Sequence, residues 1–301
     1  MTGSAKQYWP HLVMTTLIAI WSASFVATKV AQREVSAAGL VALRFWLAVV
    51  CLLPFLRGNG LAALRAAALP GVFAGTALAT GYLLQMYGMT ETSASMGGLL
   101  AGLIVPLVAV GGFLFFHARL GTLSVSGLLL ALVGIVLICM PSGDDKATGT
   151  GDSLRGILLQ VGASISYAGH VLLLSKYGRS APIAAFAFVQ LTFVAAVGTV
   201  AALLDGGLPA TPGRPIEWHT ELVLAIAYLG VFATAVGIGV QSKVQHKVPS
   251  THLALLFALQ PLFAAVCGWA MLGEELSALQ LLGGAGIVGG VVITSLDKQG
   301  R

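Results

Sequence analysis

The chain has 301 residues, of which 57% are hydrophobic and only 9% charged, and its mean hydropathy is +0.92. A soluble globular domain carries about 25% charged residues, so a water-soluble enzyme is excluded. The net charge of +5 does not indicate nucleic acid either, because the 16 Lys and Arg are scattered between apolar runs and never form a basic face. Lipid headgroups are their expected partners.

A spanning helix consumes about 20 apolar residues. Apolar runs separated by breaker clusters predict spans at 11–30, 37–56, 67–87, 93–116, 122–140, 155–175, 181–204, 221–241, 250–272 and 278–296. The runs lack the ten-residue alternation of barrel strands, and a backbone in hydrocarbon must satisfy its own hydrogen bonds. The expected class is therefore an all-α integral membrane protein with ten transmembrane helices. The first run follows Lys6 but exceeds the apolar core of a secretory signal, so it is read as a retained helix. Cys51, Cys139 and Cys267, odd in number and each inside an apolar run, read as packing residues.

Connections are short except at 141–153 and 205–219, which are rich in Gly, Pro and polar residues. The first divides the chain into a five-helix unit at 1–140, an outer linker at 141–153 and a second five-helix unit at 154–301. With ten spans, one side of the membrane holds Lys6, Arg57, Arg65, Arg119, Lys176, Arg179, Lys243, Lys247, Lys298 and Arg301, while the other holds Lys29, Arg33, Lys146, Arg155 and Arg214. The richer side is cytoplasmic by the positive-inside rule, which puts both termini in the cytoplasm and the protein in the cytoplasmic (inner) membrane. Ten of the eleven carboxylates, all but Asp297, fall on the outer side or at its helix ends.

An odd number of spans per half places homologous halves in opposite orientations. Trp21 and Arg44 map onto Tyr167 and Gln190 at one offset, Ser95 and Pro106 onto Ser250 and Pro261 at a second, and Gly134-Ile135-Val136 onto Gly286-Ile287-Val288 at a third. The offsets change only where loops intervene, and together they favour a 5+5 inverted repeat.

The segment from Val248-Pro249-Ser250 through Leu259-Gln260-Pro261-Leu262-Phe263 and Leu272-Gly273-Glu274-Glu275-Leu276 to Leu281-Leu282-Gly283-Gly284-Ala285-Gly286 resembles the signature half of an EamA-type drug/metabolite transporter. Trp21-Ser22-Ala23-Ser24-Phe25, with Lys29 and Arg44, is similar to that family's first repeat. The resemblance implies two inverted five-helix halves, a central cavity between them and alternating access. Its members include exporters of amino acids, aromatic ones among them, and of assorted drugs. Arg119 stands in the first repeat where Glu274 stands in the second, so the two halves depart from one another there.

Motifs of catalysis are missing: there is no H-E-x-x-H, no Cys-x-x-Cys, no phosphate loop and no nucleophile elbow. Neither an enzyme nor a cofactor or metal is expected. No Asp or Glu lies inside a predicted span, so proton coupling through a mid-membrane carboxylate is excluded, leaving a buried His or an outer carboxylate such as Glu274 or Glu91 for that role. Permanent cations would find no counter-charge at mid-depth and fit less well than zwitterions or neutral aromatic molecules.

Arg44 is the basic residue well inside a span. It reads either as a donor to a substrate carboxylate or as a structural link to helix-end carbonyls; the resembling family carries Arg here whatever the cargo, which favours the link. Mid-depth polar and aromatic positions are the other binding candidates. Trp21 and Ser24 share a face of the first helix, Tyr82 and Gln85 one of the third, and Ser166, Tyr167 and His170 one of the sixth; Gln190 and Gln260 fall near the middle of the seventh and ninth. Rings for an apolar side chain beside neutral donors and acceptors suit an amphipathic metabolite. Each also has a packing reading, as an interhelical hydrogen-bond partner. Trp9, Trp218 and Tyr177 read as headgroup anchors, and His252 as interfacial. Gly71-x-x-x-Gly75, Gly98-x-x-x-Gly102 and Gly286-x-x-x-Gly290 read as close helix packing. Pro106 and Pro261, paired across the repeat, read as gating hinges. The expectation is a monomeric or homodimeric carrier exporting small amphipathic metabolites, amino acids foremost, with a drug or dye efflux carrier and a non-transport membrane protein as the alternatives.

Overall fold

The structure is a computed structural model that describes residues 3–56, 60–116, 121–140, 152–177, 182–211, 213–244, 256–257 and 259–296. Arg119, His252 and nearly all of the 141–153 connection lie outside these residues. The elements are α1 (Gly3–Ala31), α2 (Ala37–Leu52) with a 3-10 turn at Leu53–Leu56, α3 (Leu61–Thr90), α4 (Ala94–Ala101), α5 (Ile104–Phe116), α6 (Thr122–Cys139), α7 (Leu154–Tyr177), α8 (Ile183–Leu204) and α9 (Thr220–Ala227). A π-helical stretch, Tyr228–Val236, joins α9 to α10 (Gly237–Val244), and α11 (Leu259–Leu272) and α12 (Ala278–Ser295) complete the chain. Among the described residues seven helical stretches are long and apolar enough to cross a membrane, and three shorter apolar helices complete the ten passages. The protein is an all-α membrane protein of two inverted five-helix halves.

Among the described residues two expected spans are interrupted within their length. The fourth is broken between α4 and α5. Pro106 has no N–H to give the Gly102 carbonyl and its ring crowds that carbonyl; Gly102 N–H and Leu103 N–H instead bond three residues back, to Leu99 O and Leu100 O, both at 3.1 Å. Pro261 likewise occupies the third position of α11. The eighth span is wound wider over nine residues as a π-helix, where the Thr234 hydroxyl donates to Leu229 O at 2.8 Å. Residues 250–255 of the expected ninth span lie outside the description.

Packing follows the repeat. α2 lies along α8, α4 along α11 and α6 along α12, each helix against its own counterpart. The contact of α3 with α7 has its mate in α1 against the α9–α10 passage, and that of α1 with α11 has its mate in α7 against α4 and α5. The largest buried cluster, with Phe45, Leu40, Leu78, Met86, Leu191 and Leu229, draws on both halves, while many large apolar side chains on the outer faces, such as Phe115, Leu204 and Trp269, stay exposed toward the lipid.

Lipid tails are as apolar as leucine, so helix association rests on close backbone approach. Glycine provides it where α6 meets α12: a Cβ on Gly134 would fall 2.5 Å from Gly283 O, and one on Gly283 would fall 2.5 Å from Gly134 O. Gly71 and Gly75 serve α3 in the same way against Val189 and Phe193 of α8. Gly283→Ala should overpack this crossing at a cost of about 1–3 kcal/mol, and is expected to lower the detergent-solubilised melting temperature, whereas alanine at Gly169, which has nothing within 4 Å of the added carbon, should leave it unchanged.

Candidate functional site

A cavity of about 460 Å³ lies between the halves, with walls from α1, α2, α3, α5, α7, the π-helix, α10 and α11. Eight of the ten binding residues expected from the sequence line it: Trp21, Ser24, Arg44, Tyr82, Gln85, Tyr167, His170 and Gln260. Gln190 stands behind the wall, buried, with His170 Nε2–H donating to its Oε1 at 3.0 Å. Ser166 does not line the cavity; the buried hydroxyl of that helix belongs to Ser164, which donates to Leu100 O at 2.9 Å.

Arg44 is 3% exposed. Its Nε–H donates to Thr234 Oγ1 at 2.6 Å and its Nη2 to Tyr82 Oη at 3.1 Å, and its guanidinium stands 4.7 Å from the centre of the Tyr82 ring. Both oxygens are neutral, and no Asp or Glu is among the lining residues. The Tyr82 ring meets Phe45 and Tyr167 edge-on at 4.7 and 5.4 Å, and Tyr167 Oη donates to Gln85 Oε1 at 2.9 Å. Across the cavity Trp21 stacks on Phe257 at 6.2 Å, and its indole N–H donates to Ala233 O at 2.8 Å. A π-helix frees or redirects backbone groups; here it presents Ala233 O to Trp21 and Thr234 to Arg44, both from one turn.

Sequence reasoning missed Thr234, Phe257, Gln241, Val105 and Val108. Gln241 is a polar residue near a span end and could have been found by the same rule as Gln260. The apolar ones carry no signal, being three among many in apolar runs, and Thr234 becomes visible only once the π-helix turns it to Arg44.

The cavity is sealed at one end. Phe25, Val26, Met89, Ala94, Ala101 and Ala264 form an apolar plug there, and beyond the plug lies a polar clasp. Gly273, at φ +67°, ends α11 in the left-handed region and turns the chain, so that the Glu274 carboxylate accepts Ala94 N–H at 2.7 Å and Ser95 N–H at 2.8 Å. Ser93 Oγ takes the Met96 N–H and Ser93 O the Gly97 N–H, so every free amide of the first turn of α4 is satisfied. Lys29 Nζ caps the other polarity, donating to Met89 O and Thr92 O at the end of α3, at 2.7 and 2.9 Å. Asp152 accepts from Ser93 N–H at 2.6 Å and from Gln280 Nε2 at 2.9 Å, tying the start of the second half to both α4 and α12. Burial pushes the Asp152 carboxyl up, with the Ser93 N–H opposing. Its proton is thus held more readily in the closed clasp than in water, and falling pH favours closure through this residue. At the opposite end the cavity reaches Gln241 and the exposed Ser175.

A ten-passage helical bundle built as inverted halves around a largely apolar cavity with a few polar groups is the architecture of a membrane transporter. The chain belongs to the EamA-like transporter family, whose profile matches residues 8–140 and 154–296. An uncharacterized transporter of Archaeoglobus fulgidus is 25% identical over 97% of this chain and 87% of its own. The threonine/homoserine exporter RhtA of Escherichia coli K12 is 24% identical over 99% of this chain and 95% of its own. A solved crystal structure with 20% sequence identity covers 95% of this chain and 97% of its own at a TM-score of 0.65, a likeness of fold.

Glu274→Gln would set an amide NH2 against one backbone N–H and leave the other a neutral acceptor, so that both charge-assisted bonds, each worth about 1.5–3 kcal/mol, are lost as such. Spin labels at the exposed Thr90 and Glu275 should report a single short distance in the parent, and a second, longer population in the Gln variant.

Proposed function

We propose that the protein exports amino acids as zwitterions, with the Arg44 guanidinium receiving the carboxylate and the ring-lined remainder of the cavity receiving the side chain. The observation that carries this reading is a buried guanidinium held by two neutral oxygens in a cavity whose lining has no acid. An intramembrane Arg costs about 2.5–3.5 kcal/mol on insertion scales. Thr234 and Tyr82 satisfy part of its bonding without cancelling its charge, so an anionic group entering the cavity gains what the protein leaves unpaired. The similarity to RhtA, a threonine/homoserine exporter, supports amino acids as the cargo class. Tyr82, Tyr167, Trp21 and Phe257 favour extending it to aromatic side chains, and neutral donors and acceptors at Gln85, Gln260 and His170 suit the ammonium end.

In this reading residues 1–140 and 154–301 rock against each other about the central cavity, and the termini and the Ser175 end face the cytoplasm. The clasp of Glu274, Lys29 and Asp152 is the outer closure, and the present arrangement accepts cargo from inside. Pro106 and Pro261 act as paired hinges: each stands one turn or less from a lining residue, Val105 or Gln260, and Gly102 packs against Pro261 itself. Replacing both prolines by alanine should leave folded yield intact and reduce transport; full activity of the double variant would count against the hinges.

Counterflow in proteoliposomes tests the cargo. Threonine, homoserine, phenylalanine and tryptophan are expected to exchange, and a quaternary ammonium dye is not. Dye exchange with inert amino acids would replace this reading by a drug carrier, and no counterflow of any compound would remove both. Arg44→Gln should raise the half-saturation concentration of phenylalanine about 10- to 100-fold, the equivalent of one charge-assisted interaction. It should change little for phenylalaninol, which lacks the carboxylate; equal losses for both would make Arg44 a structural link.

A further inference from the structure

We propose that Gly81 and Gly237 set the width of the cavity, and with it the size of cargo admitted, by seating the two repeat-equivalent aromatic residues Tyr167 and Trp21. A Cβ on Gly81 would fall 2.7 Å from Tyr167 Cε1 and 2.8 Å from Cδ1; a Cβ on Gly237 would fall 2.8 Å from Trp21 Nε1. Both rings approach the helix where a side chain on the glycine would hold them off.

The two seats are built alike. Tyr167 of α7 lies on α3 at Gly81 and is pinned one turn further along that helix, by Oη donating to Gln85 Oε1 at 2.9 Å. Trp21 of α1 lies on α10 at Gly237 and is pinned one turn earlier on that passage, by Nε1–H donating to Ala233 O at 2.8 Å. Each half thus lends its first-helix aromatic to the third helix of the other, and each third helix answers with a glycine and a hydrogen-bond acceptor. Since both rings also form the cavity wall, a ring lifted off its seat moves into the cavity. A carbon–carbon contact settles at about 3.5–4.0 Å, so one methyl group on either glycine displaces its ring by roughly 1 Å. The glycines touch no cargo; they are positioning residues that act through the rings.

The test needs no cargo in its first arm, so it stands apart from the amino-acid reading, on which only the second arm rests. In a background with Cys51, Cys139 and Cys267 replaced by alanine, Ser24→Cys places a thiol one turn beyond Trp21 toward the plug. Its modification by methyl methanethiosulfonate and by benzyl methanethiosulfonate is followed by intact mass. Gly81→Ala and Gly237→Ala should each slow the benzyl reagent about tenfold and leave the methyl reagent within twofold. Gly169→Ala and Gly239→Ala, on the same helices as Tyr167 and Gly237 but with nothing within 4 Å of the new carbon, should change neither. Removing the ring must erase the effect, so Gly81→Ala in a Tyr167→Ala background and Gly237→Ala in a Trp21→Ala background should match their parents. Tyr167→Ala and Trp21→Ala, which only delete atoms, should speed the benzyl reagent, and they keep the test decisive if a glycine variant does not fold. In the second arm the glycine variants should shift counterflow from tryptophan toward threonine. Equal slowing of both reagents, slowing that persists without the ring, or no acceleration on ring removal overturns the proposal.

Discussion

Hydrocarbon offers no hydrogen-bond partner, and this single constraint orders the whole molecule. Every polar group in the membrane must be answered from within the chain, so irregular backbone is confined to places where protein or cavity surrounds it. The break at Gly102–Leu103 is one: its two amides close on carbonyls three residues back, and a Cβ on Gly102 would touch Pro261 and Ile287 of the opposite half. The π-helix at Tyr228–Val236 is the other: Trp21 and Thr234 occupy Ala233 O and Leu229 O. Both irregularities lie at the interface of the halves, beside the cavity, where a lipid-facing break would be too costly to persist.

The same constraint explains the clasp. A helix that begins inside the bundle exposes amides with no water to satisfy them, and a helix that ends there exposes carbonyls. The α3–α4 turn does both, and the chain answers with a carboxylate from one half at the amides and an ammonium from the other end of α1 at the carbonyls. Of these bonds only those of Glu274 join the two halves; the Lys29 bonds hold α1 to the end of α3 within the first half. Polar groups that must be satisfied in one arrangement and can be hydrated in another make a closure that is both specific and reversible, which a purely apolar seal would not be. The apolar plug behind it, with Phe25 packed between α4 and α11, excludes water from the cavity end while the clasp fixes the register.

Much of this was legible in the sequence, and the parts that were share a cause. Span number, orientation of the halves and the repeat follow from composition and periodicity, which report solvent and not detail. The residues singled out by depth that line the cavity, Trp21, Ser24, Tyr82, Gln85, Tyr167, His170 and Gln260, do so because a polar or amphipathic side chain at that depth has few places to go. The mid-depth rule placed Gln190 and Ser166 on the wall wrongly for the same reason that it worked at all: depth is readable, but helix rotation is not, and Gln190 points behind His170 while Ser164, two residues before Ser166, takes the interhelical bond. Arg44 illustrates a second limit. The link expected to helix-end carbonyls is made instead to the hydroxyls of Thr234 and Tyr82, joining α2 to the π-helix and to α3, while the guanidinium also faces the cavity. Phe257 and Val105 were beyond reach, because an apolar residue in an apolar run is informative only once its neighbours are known.

The halves are alike in backbone and unlike in charge, and the difference gives the site a direction. Exchange of the halves carries Trp21 onto Tyr167 and Arg44 onto Gln190, so the rings are conserved by the symmetry and the guanidinium is not. A cavity alike in its rings and charged at one flank alone would, on the proposed reading, orient an amphipathic molecule with its anionic group toward α2. The Arg44 flank belongs to the first half, held to Tyr82 of that half and to Thr234 of the other. Of these two bonds only the second joins the halves. On the proposed reading, a carboxylate competing with Thr234 for the guanidinium would loosen the one hydrogen bond from Arg44 that joins them, and the residue proposed to receive the head group would also sense that the cavity is filled.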